Sequence, residues 1–278
     1  MSTHRQSGRV WLISGCSSGF GRAFVDAALA RGDSVVATAR RVESIEDLAG
    51  DQVLVVALDV TRQEQIAAVV RASLERFGCI DILVNNAGYS SVGAVEEIDM
   101  DDLRLLMETS FFGAVALTKA VLAHMRERGS GAIVQMSSQA GQMSFAGGGA
   151  YAAAKFALEG ISEALADEVA PHGIQTLIVE PGAFRTGLMG SRFHRSREID
   201  AYAATVGHAR EWLEQADGTQ PGDPRKAVAA ILAALDAADP PLRLVLGADA
   251  VDAIRTKHEQ LRADLDRWEA ASRNTAFD

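Results

Sequence analysis

The sequence contains few cysteines and few prolines, and it lacks a long apolar run. Its 278 residues include only Cys16, Cys79 and six prolines, so we expect no disulfide framework and no proline-rich linker between domains. The longest uncharged stretch, residues 129–154, contains six glycines and seven serine or glutamine residues. We therefore expect no segment to approach the ~20 apolar residues of a transmembrane helix, and the polar N-terminus shows no signal-peptide pattern. We predict one cytoplasmic domain over residues 1–278 that does not bind a membrane.

Basic residues are scarce relative to acidic ones. The chain has 27 Lys and Arg residues against 37 Asp and Glu residues, for a net charge of -10. This balance argues against a protein that attracts nucleic acid through a broad basic surface. The six histidines show no spacing typical of metal ligands. We therefore predict a protein without bound metal or nucleic acid.

Short apolar runs alternate with longer segments of helical period. The predicted strands are residues 10–14, 34–38, 53–58, 80–84, 132–137, 174–179 and 242–246. The predicted helices are residues 21–31, 63–77, 101–128, 151–170, 199–215 and 224–236. Most strands are apolar throughout, as expected for strands that are covered on both faces. This alternation predicts an α/β protein with a doubly wound, seven-stranded parallel sheet between two helical layers, the Rossmann fold.

Two segments interrupt this alternation. An insertion at residues 183–222 is long enough to favour a lid over the substrate rather than an idle loop, and its His194 and His208 are candidates for substrate contact. A C-terminal helix is predicted at residues 249–272. Its apolar stripe consists of Val251, Ile254, His258, Leu261, Leu265 and Trp268. That stripe packs against the chain's own domain, or it forms a subunit contact or covers the pocket; the sequence leaves these alternatives open.

A glycine-rich turn follows the first predicted strand. Residues 14–21 read Ser-Gly-Cys-Ser-Ser-Gly-Phe-Gly, and a predicted helix comes next. Glycines let the backbone turn sharply and approach a ligand, and the helix N-terminus presents N–H groups to a pyrophosphate. The turn lacks the Lys-Ser or Lys-Thr ending of a mononucleotide P-loop. We predict that it binds a dinucleotide through Gly15, Ser17, Ser18, Gly19, Phe20 and Gly21.

Further motifs follow the glycine turn along the chain. They are Leu-Asp-Val at residues 58–60, Asn-Asn-Ala-Gly at residues 85–88, Ser138 with Tyr151 and Lys155, and Pro181-Gly182 with Thr186. In this order, the series resembles the compact, single-domain form of the short-chain dehydrogenase/reductase family. The resemblance implies a nicotinamide dinucleotide that is also bound by Asp59, Val60, Asn86, Ala87, Gly88, Tyr151, Lys155, Pro181, Gly182 and Thr186.

The end of the second predicted strand distinguishes the two nicotinamide dinucleotides. An NAD site has an acidic residue there that bonds the ribose 2′-hydroxyl, but residues 37–41 read Ala-Thr-Ala-Arg-Arg. Ala39 takes the acidic position, and the guanidinium of Arg40 matches the oxygens of a 2′-phosphate. We predict NADP(H) as the cofactor, and NAD(H) as the alternative if Arg40 and Arg41 are only solvated surface charges.

Tyr151 and Lys155 are four residues apart on a predicted helix, so both side chains project from one face. Reduction of a carbonyl needs a proton donor at its oxygen, and a nearby ammonium lowers the pKa of tyrosine from its ordinary value near 10. Ser138 can donate a hydrogen bond to the same oxygen. We predict that Tyr151 is the acid/base of the reaction, assisted by Lys155 and Ser138.

One position departs from the family pattern. The family usually has asparagine on its central helix, within Thr-Asn-x-x-Gly, where it holds a water that links the lysine to solvent. Residues 109–113 of this chain read Thr-Ser-Phe-Phe-Gly, so Ser110 takes that place. Serine is still polar, and we expect Ser110 to support an altered proton relay. The alternative is a dinucleotide-binding sensor with weak or no turnover.

Apolar side chains dominate the segments that are expected to form the substrate pocket. They are Val92, Met143, Phe145, Phe184, Met189, Phe193, Tyr202 and Trp212. This lining predicts an NADP(H)-dependent oxidoreductase that interconverts a ketone or aldehyde and an alcohol on a moderately apolar small molecule. A further alternative is an isomerase or lyase, but such relatives generally have a larger C-terminal substrate domain than the residues after Thr186 provide. The family's usual assembly through long helices implies a homodimer or homotetramer.

Overall fold

The structure of the chain, a computed structural model, describes residues 8–188 and 193–277, apart from the side chain of Glu214. Its strands are β1 (Val10–Ile13), β2 (Ser34–Ala39), β3 (Val53–Ala57), β4 (Ile82–Asn85), β5 (Ser91–Val92), β6 (Gly131–Met136), β7 (Ile174–Pro181), β8 (His194–Arg195) and β9 (Arg243–Leu246). One parallel sheet has the order β3-β2-β1-β4-β6-β7-β9. The predicted seven-stranded, doubly wound sheet is confirmed, with strand ends shifted by at most two residues.

Helices cover both faces of the sheet. They are α1 (Gly19–Ala30), α2 (Gln63–Phe77), α3 (Met100–Met107), α4 (Gly113–Arg128), α5 (Gly149–Val169), α6 (Ala203–Ala216), α7 (Pro224–Leu235) and α8 (Ala248–Arg273). Successive strand residues point to opposite faces. Trp11 and Ile13 of β1 therefore join a core with α1 and α7, while Leu12 joins a second core with α2 and α4. The sheet is buried between these two cores.

The predicted continuous helix over residues 101–128 is wrong at one turn. Helices α3 and α4 are joined by a π-helical turn, Glu108–Phe112, which contains Ser110. A π turn adds one residue to the helical repeat and rotates the side chains that follow. Just after it, Gly113 packs so closely on Val60 that a Cβ atom would lie 2.7 Å from Val60 Cγ2. Apolar periodicity on both sides of the turn is preserved, so the pattern did not reveal it.

The expectation that no segment is long and apolar enough to cross a membrane is wrong for this pair of helices. By length and composition, Met100–Arg128 is long and apolar enough to cross a membrane. In the structure, 39% of its most apolar 18-residue stretch is buried inside the protein. The buried side chains include Leu106, Leu117, Val121 and Met125, which pack in the cores beside the sheet. A core helix meets the same criterion, so the segment does not by itself indicate a membrane span.

The insertion at residues 183–222 is attached to the segment after β4. Strand β8 pairs with β5, with His194 opposite Ser91, and α6 packs Val206 and Leu213 against Val92. A buried carboxylate, Glu97, accepts hydrogen bonds from Ile199 N at 2.8 Å and from Arg210 Nη2 at 2.6 Å. The described part of the insertion is therefore fixed over the carboxyl ends of the strands.

Within the described residues, only the first turns of α8 pack on the rest of the chain. Ala250 and Ile254 are buried, whereas Leu261, Leu265 and Trp268 are 51%, 65% and 64% exposed. Of the alternatives for the apolar stripe, packing on the chain's own domain therefore holds for the first turns of the helix and not for its exposed C-terminal half.

Candidate active site

A cavity of about 500 Å³ lies at the carboxyl ends of the central strands, where doubly wound sheets bind ligands. It brings together most of the predicted site residues: Gly15, Ser18, Gly19, Phe20, Asn86, Ala87, Gly88, Ser138, Tyr151, Lys155, Pro181, Gly182 and Thr186. Six others do not line it: Ser17, Gly21, Arg40, Asp59, Val60 and Ser110. Motifs far apart in the chain thus converge at one edge of the sheet.

The glycine turn and the loop after β4 are tied into one unit. The Ser14 hydroxyl accepts hydrogen bonds from Asn86 N at 2.9 Å and from Ala87 N at 3.0 Å. In return, Asn86 Nδ2 donates to Ser14 O at 2.9 Å and to Gly15 O at 3.0 Å. The hydroxyl of Ser14 therefore aligns the two loops that form one wall of the cavity.

The turn itself has the shape that a pyrophosphate requires. Gly15 and Gly19 have φ angles of +77° and +56°, in the left-handed region that favours glycine. A Cβ atom on Gly19 would lie 2.7 Å from Thr186 Cβ, and one on Gly21 would lie 2.2 Å from Gly15 O. Gly21 therefore lets α1 start against the turn, and the residues fit a dinucleotide because the positive end of α1 faces the cavity.

Ser138, Tyr151 and Lys155 occupy the other side of the cavity. Lys155 Nζ donates to Met136 O at 2.7 Å and lies 5.6 Å from the centre of the Tyr151 ring. Ser138 follows β6; its hydroxyl donates to Pro181 O at 3.4 Å and accepts from Ala140 N at 3.1 Å. A hydrogen bond also joins the side chains of Ser138 and Tyr151. These contacts fix the three polar groups relative to one another.

Burial controls the protonation of this site. Burial raises the pKa of Tyr151 to about 12, although the hydrogen bond with Ser138 opposes the shift. Burial also lowers the pKa of Lys155 to about 8, against the charge of Glu159. The sequence predicts that the ammonium lowers the pKa of Tyr151; in the structure, desolvation has the larger effect, in the opposite direction. At neutral pH, Tyr151 is a phenol that can donate a proton.

Ser110 lies in the π turn rather than on the cavity wall. It is buried, and its hydroxyl has no hydrogen-bond partner among the residues that the structure describes. It would lie 3.3 Å from a Cβ atom on Gly88, which does line the cavity. Its predicted role in a proton relay stays a prediction.

Residues 9–197 match the family model described as short chain dehydrogenase. The chain belongs to the short-chain dehydrogenase family. Members are oxidoreductases that use a nicotinamide cofactor and act on small molecules. An oxidoreductase of Botryotinia fuckeliana, BOA17, is 41% identical to this chain, and the match covers 95% of this chain and 98% of the relative.

Solved structures show the same family. A short-chain dehydrogenase from Streptomyces avermitilis is 52% identical, with a TM-score of 0.91 over 97% of this chain and 100% of its own. One from Burkholderia cenocepacia, in complex with NADP, is 25% identical, with a TM-score of 0.74 over 95% of this chain and 98% of its own. Two further structures of this fold are complexes with NAD and with NADH.

Five predicted cofactor contacts of this short-chain dehydrogenase do not line the cavity, and three of them, Arg40, Asp59 and Val60, lie after β2 and β3. Arg40 is exposed just after β2. Burial raises the pKa of Tyr89, a cavity residue, and the positive charge of Arg40 opposes this shift. The Asp59 carboxylate accepts hydrogen bonds from Thr61 N and Oγ1 at 3.0 and 2.8 Å, and Val60 packs on α4. Their roles toward the adenosine end stay predictions.

The substrate end of the cavity agrees in part with the predicted walls. Ser90, Ser91, Val92, Gln139, Phe145, Phe184, Phe193, His208 and Trp212 line it, together with Leu188, Ala209 and Leu213 of the predicted insertion, and sequence reasoning missed Tyr89. Met143 and Tyr202 do not line it, and Met189 lies outside the described residues. His194 instead pairs with Asp102 at 2.7 Å.

Sequence reasoning also missed Asp249, at the start of α8. Its Oδ2 accepts a hydrogen bond from Ala183 N at 2.7 Å, and a Cβ atom on Gly182 would lie 2.3 Å from the same oxygen. This carboxylate therefore holds the loop after β7 at the cavity. No local pattern could have indicated it, since the partners are 66 residues apart.

Proposed function

We propose that this short-chain dehydrogenase uses NADP(H) to interconvert a ketone or aldehyde and an alcohol on a moderately apolar small molecule. The observation that carries the proposal is the meeting of Ser138, Tyr151 and Lys155 with the glycine turn in one cavity. The nicotinamide supplies or accepts the hydride. The glycine turn and the start of α1 would hold its pyrophosphate, and Lys155 and Thr186 would hold the nicotinamide end.

The side chains divide the work on the substrate oxygen. In reduction, Tyr151 donates its phenolic proton to the carbonyl oxygen, while Ser138 donates a hydrogen bond that stabilises the developing charge. The Lys155 ammonium then stabilises the phenolate that remains. In oxidation the same groups act in reverse, and Tyr151 must first lose its proton.

The cavity walls support an apolar substrate. Phe145, Leu188, Phe193 and Trp212 surround the substrate end, and Lys155 is the one lysine or arginine among the described lining residues. Such a surface favours hydrocarbon, and among the described lining residues no arginine and no lysine other than Lys155 is available to bind a phosphate or carboxylate on the substrate. A panel of ketones and aldehydes of increasing size, assayed by loss of NADPH absorbance, tests this. Faster turnover of short, anionic carbonyl compounds would contradict it.

Replacement of Tyr151 by phenylalanine tests the acid. We expect turnover to fall about 10²- to 10⁴-fold, because the proton donor is lost, while NADPH still binds. An unchanged rate would refute the assignment. If the natural protein binds NADPH tightly but turns over no carbonyl compound, the alternative of a sensor is favoured, for which Ser110 in place of the relay asparagine is the supporting observation.

Replacement of Arg40 by alanine tests the cofactor. A charge-assisted hydrogen bond contributes about 1.5–3 kcal/mol, so we expect KM for NADPH to rise about 10- to 100-fold and KM for NADH to stay the same. Arg41→Ala is the matched control and should change neither value. A natural preference for NADH that survives Arg40→Ala would overturn the choice of NADP(H).

Apolar side chains on the long helices support a homodimer or homotetramer. Phe112 just before α4 and Phe156 and Ile161 on α5 are 50%, 46% and 39% exposed. Large exposed apolar side chains that cluster mark subunit contacts. Sedimentation of the natural protein and of Phe156→Glu tests this, and a monomeric natural protein would refute it.

A further inference from the structure

Two buried carboxyl groups lie directly behind the catalytic residues. Glu159 is on α5, one turn after Lys155, and Glu180 is the residue of β7 that precedes the cavity residue Pro181. They are 4% and 0% exposed. A buried carboxylate is costly unless a cation or hydrogen bonds compensate for the lost water, so their partners explain their presence.

One guanidinium bridges the two carboxyl groups. Arg243 of β9 places its Nε 3.1 Å from Glu159 Oε2 and 3.2 Å from Glu180 Oε1. Its Nη2 donates to the half-exposed Glu163 at 2.6 Å. On the far side, Gln142 Nε2 donates to Glu180 Oε1 at 2.5 Å, and Gln142 Oε1 pairs with His258 Nε2 at 2.6 Å.

On the catalytic side, the carboxyl group of Glu159 packs against Gly141. Its Oε1 and the Ser137 hydroxyl converge on Gly141, where a Cβ atom would lie 2.7 Å from the former and 2.5 Å from the latter. Glycine at this position therefore makes room for the carboxyl group next to Ser138. The titratable and charged groups that face the pair are Lys155, Glu163, Arg243 and, through Gln142, His258.

The buried charges of the cluster balance once both carboxyl groups are ionised: Lys155 and Arg243 then supply two cations, and Glu159 and Glu180 supply two anions. Burial raises the pKa of Glu159. Burial and repulsion by Glu159 raise the pKa of Glu180 to about 7, against its hydrogen bond from Gln142 and the charge of Arg243. Burial lowers the pKa of Lys155, and the charge of Glu159 opposes this. The loss of either carboxylate would leave an excess of buried positive charge.

From this geometry we infer that Glu159 and Glu180, whose carboxyl groups Arg243 holds behind the catalytic residues, are positioning residues that keep Lys155 in its ammonium form and so set the upper pH limit of catalysis. For catalysis the inference rests on the proposed function, but the protonation of Lys155 is measurable without any turnover.

The test uses the small number of lysines in the full-length protein. Labelling with ¹³Cε-lysine yields one signal each from Lys119, Lys155, Lys226 and Lys257, and the signal that is missing in Lys155→Met belongs to Lys155. We expect Lys155 to titrate near pH 8, below the ordinary value near 10.4 of exposed lysines. In Glu159→Gln the ionisation constant should rise about tenfold, which moves the midpoint down by about one pH unit.

Matched variants separate the buried pair from general charge effects. Glu163→Gln removes an exposed carboxylate from the same guanidinium and should leave the midpoint unchanged, whereas Glu159→Asp should restore most of it. Glu180→Gln keeps the shape and the acceptor for Gln142, and should lower the midpoint less than Glu159→Gln. An unchanged midpoint in Glu159→Gln, or an equal shift in Glu163→Gln, would overturn the inference. If Glu159→Gln does not fold, an unchanged Lys155 midpoint in Glu180→Gln would overturn the inference instead.

The kinetic readout is the pH profile of kcat/KM for carbonyl reduction. Its alkaline limb should move with the Lys155 midpoint in each variant, and a limb that stays in place while the midpoint moves would overturn the catalytic part of the inference. If the natural protein reduces no carbonyl compound at any pH, the proposed function fails, and the lysine titration still decides the role of the carboxyl pair.

Discussion

Replacing Glu97 by glutamine is expected to loosen the insertion over the cavity. The Glu97 carboxylate accepts three hydrogen bonds, from Ala94 N and Arg210 Nη2 at 2.6 Å each and from Ile199 N at 2.8 Å. Its side chain is 2% exposed and that of Arg210 is 10% exposed. Glutamine removes the charge and turns an N–H group toward one of the donors.

The size of the effect follows from these contacts. Breaking a buried ion pair costs about 3–5 kcal/mol, because the remaining charge is buried without its partner. Arg210 keeps Ser196 O at 3.2 Å and Glu198 Oε1 at 3.4 Å, so we expect a loss of about 3 kcal/mol, at the lower end. For a chain of this length, that lowers Tm by roughly 6–12 °C.

The effect also depends on pH. Burial alone would raise the pKa of Glu97, but the hydrogen bonds from Ile199, Ala94 and Arg210 hold it below its usual value. Because the folded-state pKa lies below the unfolded one, the stability that Glu97 contributes is present above the unfolded pKa and lost as the pH falls through the folded value. The difference in Tm between the natural protein and Glu97→Gln should therefore shrink in acid.

Thermal unfolding at pH 7 and pH 4, with hydrogen exchange at Ile199, measures the loss. Glu96→Gln is the matched control, since Glu96 bonds the Tyr202 hydroxyl at the surface and an exposed pair contributes about 0–1 kcal/mol. In Glu97→Gln/Arg210→Met both charges are gone, so part of the stability should return. A Glu97→Gln protein that melts with the Glu96→Gln control would refute the reasoning.

Three further predictions concern single residues. Gly21→Ala should weaken NADPH binding at least about tenfold in a fluorescence titration, because its Cβ would lie 2.2 Å from Gly15 O; Gly160→Ala, which meets nothing within 4 Å, should instead stabilise α5 by about 0.5–1 kcal/mol. Equal effects of Gly21→Ala and Gly160→Ala on NADPH binding would contradict the argument from the close approach of Gly21 to Gly15 O. Burial raises the pKa of Cys16 to about 12, so iodoacetamide at pH 8 should not label it in the folded protein, as mass spectrometry can check against denatured protein; rapid labelling would contradict the burial of this thiol. Ser110→Asn should have a kcat similar to that of the natural protein, and a large gain would show that Ser110 does not support the proton relay.

Sequence reasoning succeeded where the signal is local. Apolar strands and amphipathic helices have backbone periods that repeat every few residues, so the sheet and the position of the glycine turn were predictable. The Tyr-x-x-x-Lys spacing likewise placed Tyr151 and Lys155 on one helix face. The π turn at Ser110 was not predictable, because one inserted residue leaves the apolar pattern on either side intact.

Some of the missed residues left a signal that can be recognised. Glu159 follows Lys155 by four residues, the spacing that brings side chains together on a helix, and Glu180 is a charged residue directly after a predicted buried strand, where a buried charge requires a partner. Neither observation identifies the partner. Arg243 is 84 residues from Glu159, and Arg210 is 113 residues from Glu97.

The sequence alone determined the parallel sheet, the dinucleotide turn and the family, because these depend on short-range spacing of residue types. Only the tertiary structure decided the protonation of the site and the fastening of the insertion. Burial raises the pKa of Tyr151 and lowers that of Lys155, and the charges that oppose or reinforce these shifts come from distant segments. Desolvation and Coulomb interactions depend on distance in space and on the exclusion of water, and neither quantity exists until the chain has folded.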